Sequence, residues 1–354
     1  EVRAKKALGQ HFLVDLNIAR KICDALSGGV RPEAGAETRA VAAGSADADA
    51  ETRTRVAGYA GAGAEARTMA AGSADAGAEA RTKATGTADA DAETRRGVAA
   101  SADARLAADT TAAGAPAAAE EERGGAVPCD VLEVGCGMGV LTQFLLRRGD
   151  ITTYGAEIDP ESVEYLHAHF PEFAPRLIEG DFLKMNLRER FPRGLKIIGN
   201  FPYNISSQIF FKVLEHRDLV PECVGMIQKE VAVRIAEPPG SKEYGILSVL
   251  LQAWYDIEYL FTVNETVFNP PPKVKSAVIR LRRNSVGRLG CDEALFVKVV
   301  KASFGQRRKM IRNSLRTVFG DFGGAEHPFF TQRAEQLSVA DFVQLTNWVA
   351  ANRK

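Results

Sequence analysis

Residues 129–142 read CDVLEVGCGMGVLT. The first seven form a short apolar run that ends in glycine, and such a run predicts a strand buried on both faces of a sheet. Gly135, Gly137 and Gly139 then alternate with other residues. Glycines in a strand-to-helix turn let the backbone bend tightly and approach a ligand without a Cβ in between. The spacing is GxGxG, not the GxGxxG of dinucleotide-binding folds, so the motif alone predicts only a glycine-rich turn.

Strand and helix signals alternate after this turn. ITTYGAEI (151–158) is rich in β-forming residues, and Pro160 suits the first turn of the helix that follows. After AVIRLRRN (277–284) the periodicity is helical only. The alternation predicts a mainly parallel sheet covered by helices on both faces, and the tail predicts a small helical domain at 285–354. Three further apolar runs are predicted strands: RLIEGD (176–181), LKIIGN (195–200) and ECVGMIQ (222–228).

The segment 33–126 differs in composition from the rest of the chain. It holds 36 alanines but only six Val, Ile, Leu, Met, Phe, Trp or Tyr residues, and it carries 16 acids against 10 bases. A 14-residue unit repeats along it, with Glu37, Glu51 and three later glutamates in the same phase. No unit has apolar side chains at both seam positions of a coiled coil. We therefore expect a disordered low-complexity insert, with a segment that folds on binding a partner, or a solvated helix, as alternatives.

Charge and cysteine usage exclude several classes of protein. The chain has 45 Lys+Arg and 45 Asp+Glu, so the residues outside the insert carry a net charge of +6. No apolar run approaches the ~20 residues of a membrane span, and the first residues lack the apolar stretch of a signal peptide. Five scattered cysteines without a CxxC pair argue against a disulfide framework or a zinc site. We expect a cytoplasmic protein with no membrane anchor and no metal.

Two acidic residues follow predicted strands, where ligands bind in open α/β sheets. Glu157 comes 22 residues after Gly135, where a carboxylate accepts hydrogen bonds from both hydroxyls of a ribose. Asp181 is placed to accept a hydrogen bond from an adenine amino group. Taken one at a time, the first could be an ordinary surface acid and the second a turn residue.

The sharpest signal is Asn200-Phe201-Pro202-Tyr203, which follows the strand-like LKIIG. The Asn200 side-chain oxygen and the Pro202 carbonyl are two acceptors, and proline fixes the local φ so that its carbonyl is preorganised. Two acceptors on an exocyclic amine would hold its nitrogen nearer to tetrahedral and aim its lone pair. Tyr203 adds a flat face for a base taken out of its stack. The motif therefore favours methylation of a base amine over the alternative, a rigid turn with a packed aromatic side chain.

Eight motifs make the chain resemble a known family. In the same order, they resemble motifs of the bacterial small-subunit ribosomal RNA adenine dimethyltransferases, and the resemblance covers nearly all of 1–32 and 127–354. The motifs are LGQHFL (8–13), VLEVGCGMGVLT (131–142), AEID (156–159), GDFL (180–183), GNFPYNIS (199–206), QKEVAVRI (228–235), FNPPPKVKSAVIRL (268–281) and FGQRRKMIRNSL (304–315).

The resemblance implies a fold and a reaction. The fold is α/β, a class I S-adenosylmethionine-dependent methyltransferase with a Rossmann-like, mainly parallel seven-stranded sheet in 1–32 plus 127–284. The insert at 33–126 interrupts it, and a small all-helical RNA-binding domain follows at 285–354. The implied reaction transfers methyl groups from S-adenosylmethionine to N6 of two adjacent adenosines in the 3′-terminal hairpin of 16S rRNA, without a metal. The implied partner is the small ribosomal subunit, and the chain is expected to act as a monomer.

The resemblance also carries site residues over, motif by motif. His11 stands where many members have Asn, and Phe201 where many have Leu. The implied cofactor contacts are His11, Leu13, Gly135, Gly137, Glu157, Asp181 and Asn200. The implied target-base residues are Asn200, Pro202, Tyr203 and Phe268, with Phe268 on the other side of the base slot.

Basic residues are the candidate RNA contacts. From Ala294 to Gly320 there are seven bases and no acid. Such a run is either an RNA-contacting surface or a solvated basic helix face. The predicted RNA contacts are Lys5, Lys6, Lys273, Lys275, Arg307, Arg308, Lys309 and Arg312.

Three other functions compete with this interpretation. An NAD-linked oxidoreductase would share the glycine turn but would leave Asn200 to Tyr203 and the basic tail unexplained. A large-subunit rRNA adenine methyltransferase of the macrolide-resistance type would share the catalytic pattern. A mainly non-catalytic ribosome-assembly factor would bind the small subunit, and this role is compatible with catalysis.

Overall fold

The structure of the protein is a computed structural model that describes residues 5, 9–28 and 128–353. The predictions for Lys6 and for 33–126 lie outside the described residues. The strands are β1 (Phe12–Leu13), β2 (Cys129–Val134), β3 (Ile151–Glu157), β4 (Leu177–Glu179), β5 (Lys196–Asn200), β6 (Glu222–Gln228), β7 (Tyr255–Val263), β8 (Phe268–Asn269) and β9 (Ser276–Arg283). The α-helices are α1 (Leu16–Ala25), α2 (Thr142–Leu145), α3 (Pro160–His169), α4 (Leu187–Arg190), α5 (Ser206–Glu215), α6 (Lys229–Ala236), α7 (Ile246–Gln252), α8 (Glu293–Gly305), α9 (Ile311–Phe319) and α10 (Val339–Asn352).

The main sheet of the described residues has seven strands in the order β4-β3-β2-β5-β6-β9-β7. The five strands from β4 to β6 are parallel, and β9 runs antiparallel to both of its neighbours. All six residues of β2 are buried, as the continuous apolar run predicts. The predicted mainly parallel seven-stranded α/β fold is therefore confirmed.

The carboxyl ends of four neighbouring strands bring the candidate site together. In the parallel register Val134 at the end of β2 faces Ala156, next to Glu157 at the end of β3. On the other side of β2 lies β5, which ends at Asn200. Glu157 and Asn200, 43 positions apart in the sequence, therefore flank the end of β2, because parallel strands all end at the same edge of the sheet.

The helices after β9 pack on the same core as the sheet. The rings of Trp254 and Phe296 meet edge to face at a centroid distance of 6.0 Å, and Tyr244 meets Phe304 at 6.3 Å. One hydrophobic cluster runs from Leu132 in the sheet to side chains of α8 and α10. The predicted boundary near 285 falls in the loop between β9 and α8, and the separate helical domain stays a prediction.

Residues 12–28 cross one face of the sheet from its carboxyl edge to its amino edge. β1 pairs antiparallel with β8, and the Val14 amide donates to the Val267 carbonyl at 2.9 Å. Asp15 caps α1 by accepting from the amides of residues 17 and 18. The helix then buries Ile22 and Cys23 in one hydrophobic cluster with side chains of β2, β5 and β6.

Charged side chains hold the end of α1 at the amino edge of the sheet. Arg148 donates to the carbonyls of residues 23, 26 and 27, and Arg280 donates to that of residue 25. Lys196 donates to the carbonyls of Ser27 and Gly28 and pairs with Glu222 at 3.1 Å. Cations at the carbonyl end of a helix complement its dipole. We call these side chains, Arg148, Lys196, Glu222 and Arg280, the amino-edge network.

Among the described residues, no helix is both long and apolar enough to cross a bilayer.

Candidate active site

A cleft opens at the carboxyl ends of β2 to β5. It encloses about 1160 Å³ of space, its open mouth included. Its walls come from the N-terminal segment, from the glycine turn after β2 and from the loops after β3, β4 and β5. The cleft brings together His11, Leu13, Gly135, Gly137, Glu157, Asp181, Asn200, Pro202 and Tyr203, all of them predicted site residues.

Two glycines of the turn after β2 lie against aromatic rings. Gly139 has φ 74°, and a Cβ there would lie 2.4 Å from Cε2 of Phe170. Gly137 has φ 53°, and a Cβ there would lie 3.1 Å from Cε1 of Phe12. The bare backbone thus forms a wall of the cleft beneath the Phe12 ring, which is the cradle that a flat or elongated ligand needs. Sequence reasoning did not single out Phe12.

Glu157 is fixed by the backbone around it. One carboxylate oxygen accepts from the amide of Gly137 at 2.8 Å, and the other accepts from the amides of Ile158 and Asp159, both at 2.9 Å. Burial raises the pKa of Glu157, while these amide hydrogen bonds act to lower it. A carboxylate has about four acceptor positions, so Glu157 retains acceptor capacity toward the cleft.

A second glutamate lies beneath the turn and was missed by sequence reasoning. Glu133 is 1% exposed, and its carboxyl accepts from the Thr142 hydroxyl at 2.6 Å. Burial raises the pKa of Glu133 to about 8, and the nearby Glu157 adds to the rise. The available signal was a charged residue inside the apolar run of β2, where a charge without a partner is costly.

The N-terminal segment closes over the loop after β3. Lys5 forms an ion pair with the buried carboxylate of Asp159 and a second with Glu161 at 3.0 Å. The Gln10 side chain also reaches Asp159, at 3.5 Å. Lys5 is a predicted RNA contact, and in this structure its ammonium is engaged by the chain's own acids. Its RNA role stays a prediction.

The orientation of the Asn200 amide follows from its partner. The Asn200 Nδ2 donates to the backbone carbonyl of His11 at 2.9 Å. Because a carbonyl accepts but cannot donate, the amide nitrogen must face His11 and the oxygen must point the other way. No group in the described part of the chain donates to that oxygen, and Asn200 lines the cleft. The side chain therefore presents an acceptor.

Pro202 and Tyr203 continue the same wall. The Pro202 carbonyl accepts from the Ile205 amide at 3.2 Å, which leaves its second lone pair available. Tyr203 is half-buried, and its hydroxyl meets the Ser276 hydroxyl at 2.5 Å. The Phe201 ring turns away into the core, where it is 1% exposed.

Two predicted site residues have a different environment from the others. Phe268 is 4% exposed and does not line the cleft. It pairs across the strands with Leu13, and Leu13 lines the cleft. Asp181 lines the cleft, but one of its oxygens caps the following turn by accepting from the Leu183 amide at 2.9 Å. The predicted base contact of Phe268 and the predicted adenine contact of Asp181 stay predictions.

The predicted RNA contacts fall into two groups. Arg307 donates to the carbonyls of Lys242 and Tyr244, and Arg312 pairs with Glu326 at 2.5 Å. These two, like Lys5, are held by the chain itself. The other described members, which are Lys273, Lys275, Arg308 and Lys309, are exposed.

Fold and cleft together define the class of protein. A parallel sheet whose central strand runs into GxGxG, beside a strand that ends in an acid, is the fold of class I S-adenosylmethionine-dependent methyltransferases. Within that class, residues 128–351 match the family model described as ribosomal RNA adenine dimethylase, and the chain belongs to this family.

Individual relatives agree with the family. The chain is 61% identical over 218 residues to the ribosomal RNA small subunit methyltransferase A of Parabacteroides distasonis, an alignment that covers 61% of this chain and 81% of that one. It is 60% identical over 221 residues to the protein of the same name in Bacteroides thetaiotaomicron, covering 62% and 82%. Among solved structures it resembles a dimethyladenosine transferase from Plasmodium falciparum, with a TM-score of 0.52 and 26% identity, covering 63% of this chain and 90% of that one.

Proposed function

We propose that this protein transfers methyl groups from S-adenosylmethionine to N6 of two adjacent adenosines in the 3′-terminal hairpin of small-subunit ribosomal RNA. The observation that carries the proposal is the Asn200 amide, whose nitrogen is bonded to the His11 carbonyl so that its oxygen is left as an acceptor at the cleft. An adenine amino group has two N–H donors, and an acceptor at this position fits one of them. Family membership and the small-subunit relatives support the same substrate.

The residues of the cleft fit the cofactor. The cradle between the glycine turn and Phe12 suits its adenosyl part, since a Cβ at Gly137 would crowd that ring. Glu157 would accept from the ribose hydroxyls, and Asp181 would accept from the adenine amino group. The other predicted contacts, His11, Leu13 and Gly135, line the same walls. When bound, S-adenosylmethionine supplies a methyl group already activated by the positive sulfur.

The chain's own residues then act by positioning the target amine. The Asn200 oxygen and the free lone pair of the Pro202 carbonyl accept its two hydrogens, which draws the nitrogen away from planarity and aims its lone pair. Both acceptors are fixed before the substrate arrives, so little reorganisation is needed. Tyr203 offers its ring as the surface on which the base stacks. The amine loses its proton after alkylation, and the proposed chemistry requires no metal.

The proposed RNA contacts are exposed basic side chains that have no partner among the described residues. Arg308 and Lys309 lie between α8 and α9, and both are exposed. Phosphate contacts of this kind position an RNA without reading its sequence, and the shape of the folded subunit would supply most of the selectivity. We place the activity in the cytoplasm and expect a monomer to perform it.

The test is labelled-methyl transfer to small ribosomal subunits that lack the modification, followed by identification of the modified nucleosides. We expect N6,N6-dimethyladenosine in the 3′-terminal hairpin. Label in large-subunit RNA instead would favour the macrolide-resistance type of enzyme. Tight binding to the small subunit without any transfer would favour an assembly factor.

A further inference from the structure

The far end of the Tyr203 side chain is tied to the main sheet. Its hydroxyl meets the Ser276 hydroxyl at 2.5 Å, although the two residues are 73 positions apart. Ser276 is the first residue of β9 and is fully buried. The ladders on both sides of β9 include it, opposite Gln228 of β6 and Val263 of β7. Its hydroxyl is therefore attached to a rigid element with neighbours on both sides.

The chain just before Ser276 also contacts the His11 ring, which lies beside the Tyr203 ring. The His11 Nδ1 lies 2.9 Å from the Pro270 carbonyl, and because a carbonyl only accepts, Nδ1 carries the proton. The His11 and Tyr203 rings lie 5.3 Å apart between centroids, at an interplanar angle of 32°. Pro270 follows β8 directly, and Ser276 begins β9. One short stretch of chain, from Pro270 to Ser276, thus contacts both rings.

We infer that Ser276 is a positioning residue for methyl transfer, because its hydrogen bond fixes the location of the Tyr203 ring on which the target base stacks. The inference rests on the proposed function. Ser276 does not line the cleft and has no access to the substrate, so any effect on the reaction must pass through Tyr203.

A hydrogen bond at the phenol oxygen fixes where the Tyr203 ring lies. A tyrosine side chain turns about two torsions near the backbone. The phenol oxygen lies on the axis of the second torsion, so a contact at this oxygen restricts the first torsion and thereby fixes where the ring lies. Burial raises the pKa of the Tyr203 phenol, so the hydroxyl keeps its proton at neutral pH. A ring held in this way needs no ordering when the base arrives, and the acceptors at Asn200 and Pro202 stay in register with it.

The test is a double-mutant cycle with Ser276→Ala, Tyr203→Phe and the double variant. Each single change removes the same hydrogen bond, and Tyr203→Phe keeps the stacking ring. The measurements are the single-turnover rate of methyl transfer to small subunits at saturating cofactor, and the dissociation constant of the cofactor. Ser303→Ala is the matched control, since Ser303 is also fully buried and bonds the Val299 carbonyl at 2.8 Å in α8.

We expect each single variant to lose roughly five- to tenfold in rate, the fold-change of about one hydrogen bond. The double variant should lose no more than either single one, cofactor affinity should be unchanged, and Ser303→Ala should keep the wild-type rate. Additive losses, an equal loss in Ser303→Ala, or an unchanged rate in Tyr203→Phe would overturn the inference. That last variant decides the matter even if Ser276→Ala does not fold. An inactive wild-type protein would instead count against the proposed function itself.

Discussion

The two edges of the parallel sheet hold the same N-terminal segment by different means. At the amino edge, the amino-edge network binds the last carbonyls of α1 with charged donors, and the buried Lys196 is paired with the buried Glu222. At the carboxyl edge, Lys5 pairs with Asp159 in the loop after β3, but the residues of the segment that line the cleft are held by neutral contacts such as the Asn200 amide on the His11 carbonyl. The first edge pairs its charges within the chain, and the second keeps acceptors available.

The difference shows what each edge does. Buried charges that are paired and hydrogen-bonded fix the position of a chain, and losing one partner is costly because the other is left without compensation. At the cleft, a polar group already bonded on all sides could not bind a ligand. The protein therefore concentrates ionic pairing where the segment is anchored and leaves acceptor capacity where the substrate is expected. On this basis, changes at the amino edge should lower stability, and changes at the carboxyl edge should lower the rate.

The largest effect should come from the amino-edge network. Lys196→Met removes the nearer of the two cations that pair with Glu222, whose side chain is only 3% exposed; Arg282 remains at 3.8 Å. Breaking a buried pair from one side costs about 3–5 kcal/mol of unfolding free energy. Urea denaturation measures the loss, and Arg188→Met is the control, because its partner Asp218 is 53% exposed and such pairs contribute about 0–1 kcal/mol. A folded Lys196→Met protein with a strongly reduced kcat would break the comparison.

Asn200→Ala should produce nearly as large an effect on the reaction. Removing one preorganised group of this kind typically costs about 10²–10³ in kcat, or roughly 3–4 kcal/mol. The unfolding free energy should change little, since Asn200 is only half-buried at the cleft. Asn200→Asp sharpens the test, because a carboxylate keeps an acceptor but cannot donate to the His11 carbonyl 2.9 Å away. If Asn200→Asp kept the wild-type rate, the assigned amide orientation would be wrong.

Sequence patterns predicted the functional residues at the carboxyl edge of the sheet better than the anchoring residues at its amino edge. The glycine turn, Glu157 and Asn200 to Tyr203 are local signals at strand ends, and parallel topology alone brings such ends together. The hydrogen-bond partners of these residues could not be predicted from the sequence. His11 and Asn200 are 189 positions apart, and no periodicity of the sequence encodes which groups the fold brings into contact. The basic run from Lys298 to Arg316 likewise looked uniform, although in the structure Arg307 and Arg312 have internal partners.

Two buried glutamates of the sheet differ in the charge of their partners. Glu222 is paired with Lys196, whereas the described partner of the Glu133 carboxyl is the neutral Thr142 hydroxyl. Burial raises the pKa of Glu133 from 4.5 to about 8, so between these values the folded protein holds a proton that the unfolded chain has lost. Unfolding free energy should therefore fall as pH rises, by at most about 1.4 kcal/mol per pH unit.

Glu133→Gln should remove that slope and stabilise the protein at pH 7.5 relative to the wild type. Urea denaturation at pH 5.5, 6.5 and 7.5 measures it, and Glu164→Gln, an exposed change on α3, should leave the slope as it is. An unchanged slope in Glu133→Gln would mean that the cleft glutamate is compensated as fully as the amino-edge one.

The smallest effect should follow from shortening the repeats in 33–126. The described residues that flank this segment lie at the amino edge, where Gly28 accepts from Lys196 at 3.1 Å and Cys129 begins β2. Because the cleft lies at the opposite ends of the strands, a chain with one repeat left should keep the wild-type kcat and cofactor affinity. Its unfolding free energy should also stay the same, provided that the amino-edge network is intact. A large loss of methyl transfer in the shortened enzyme would contradict this prediction and show that the repeats contribute to the reaction.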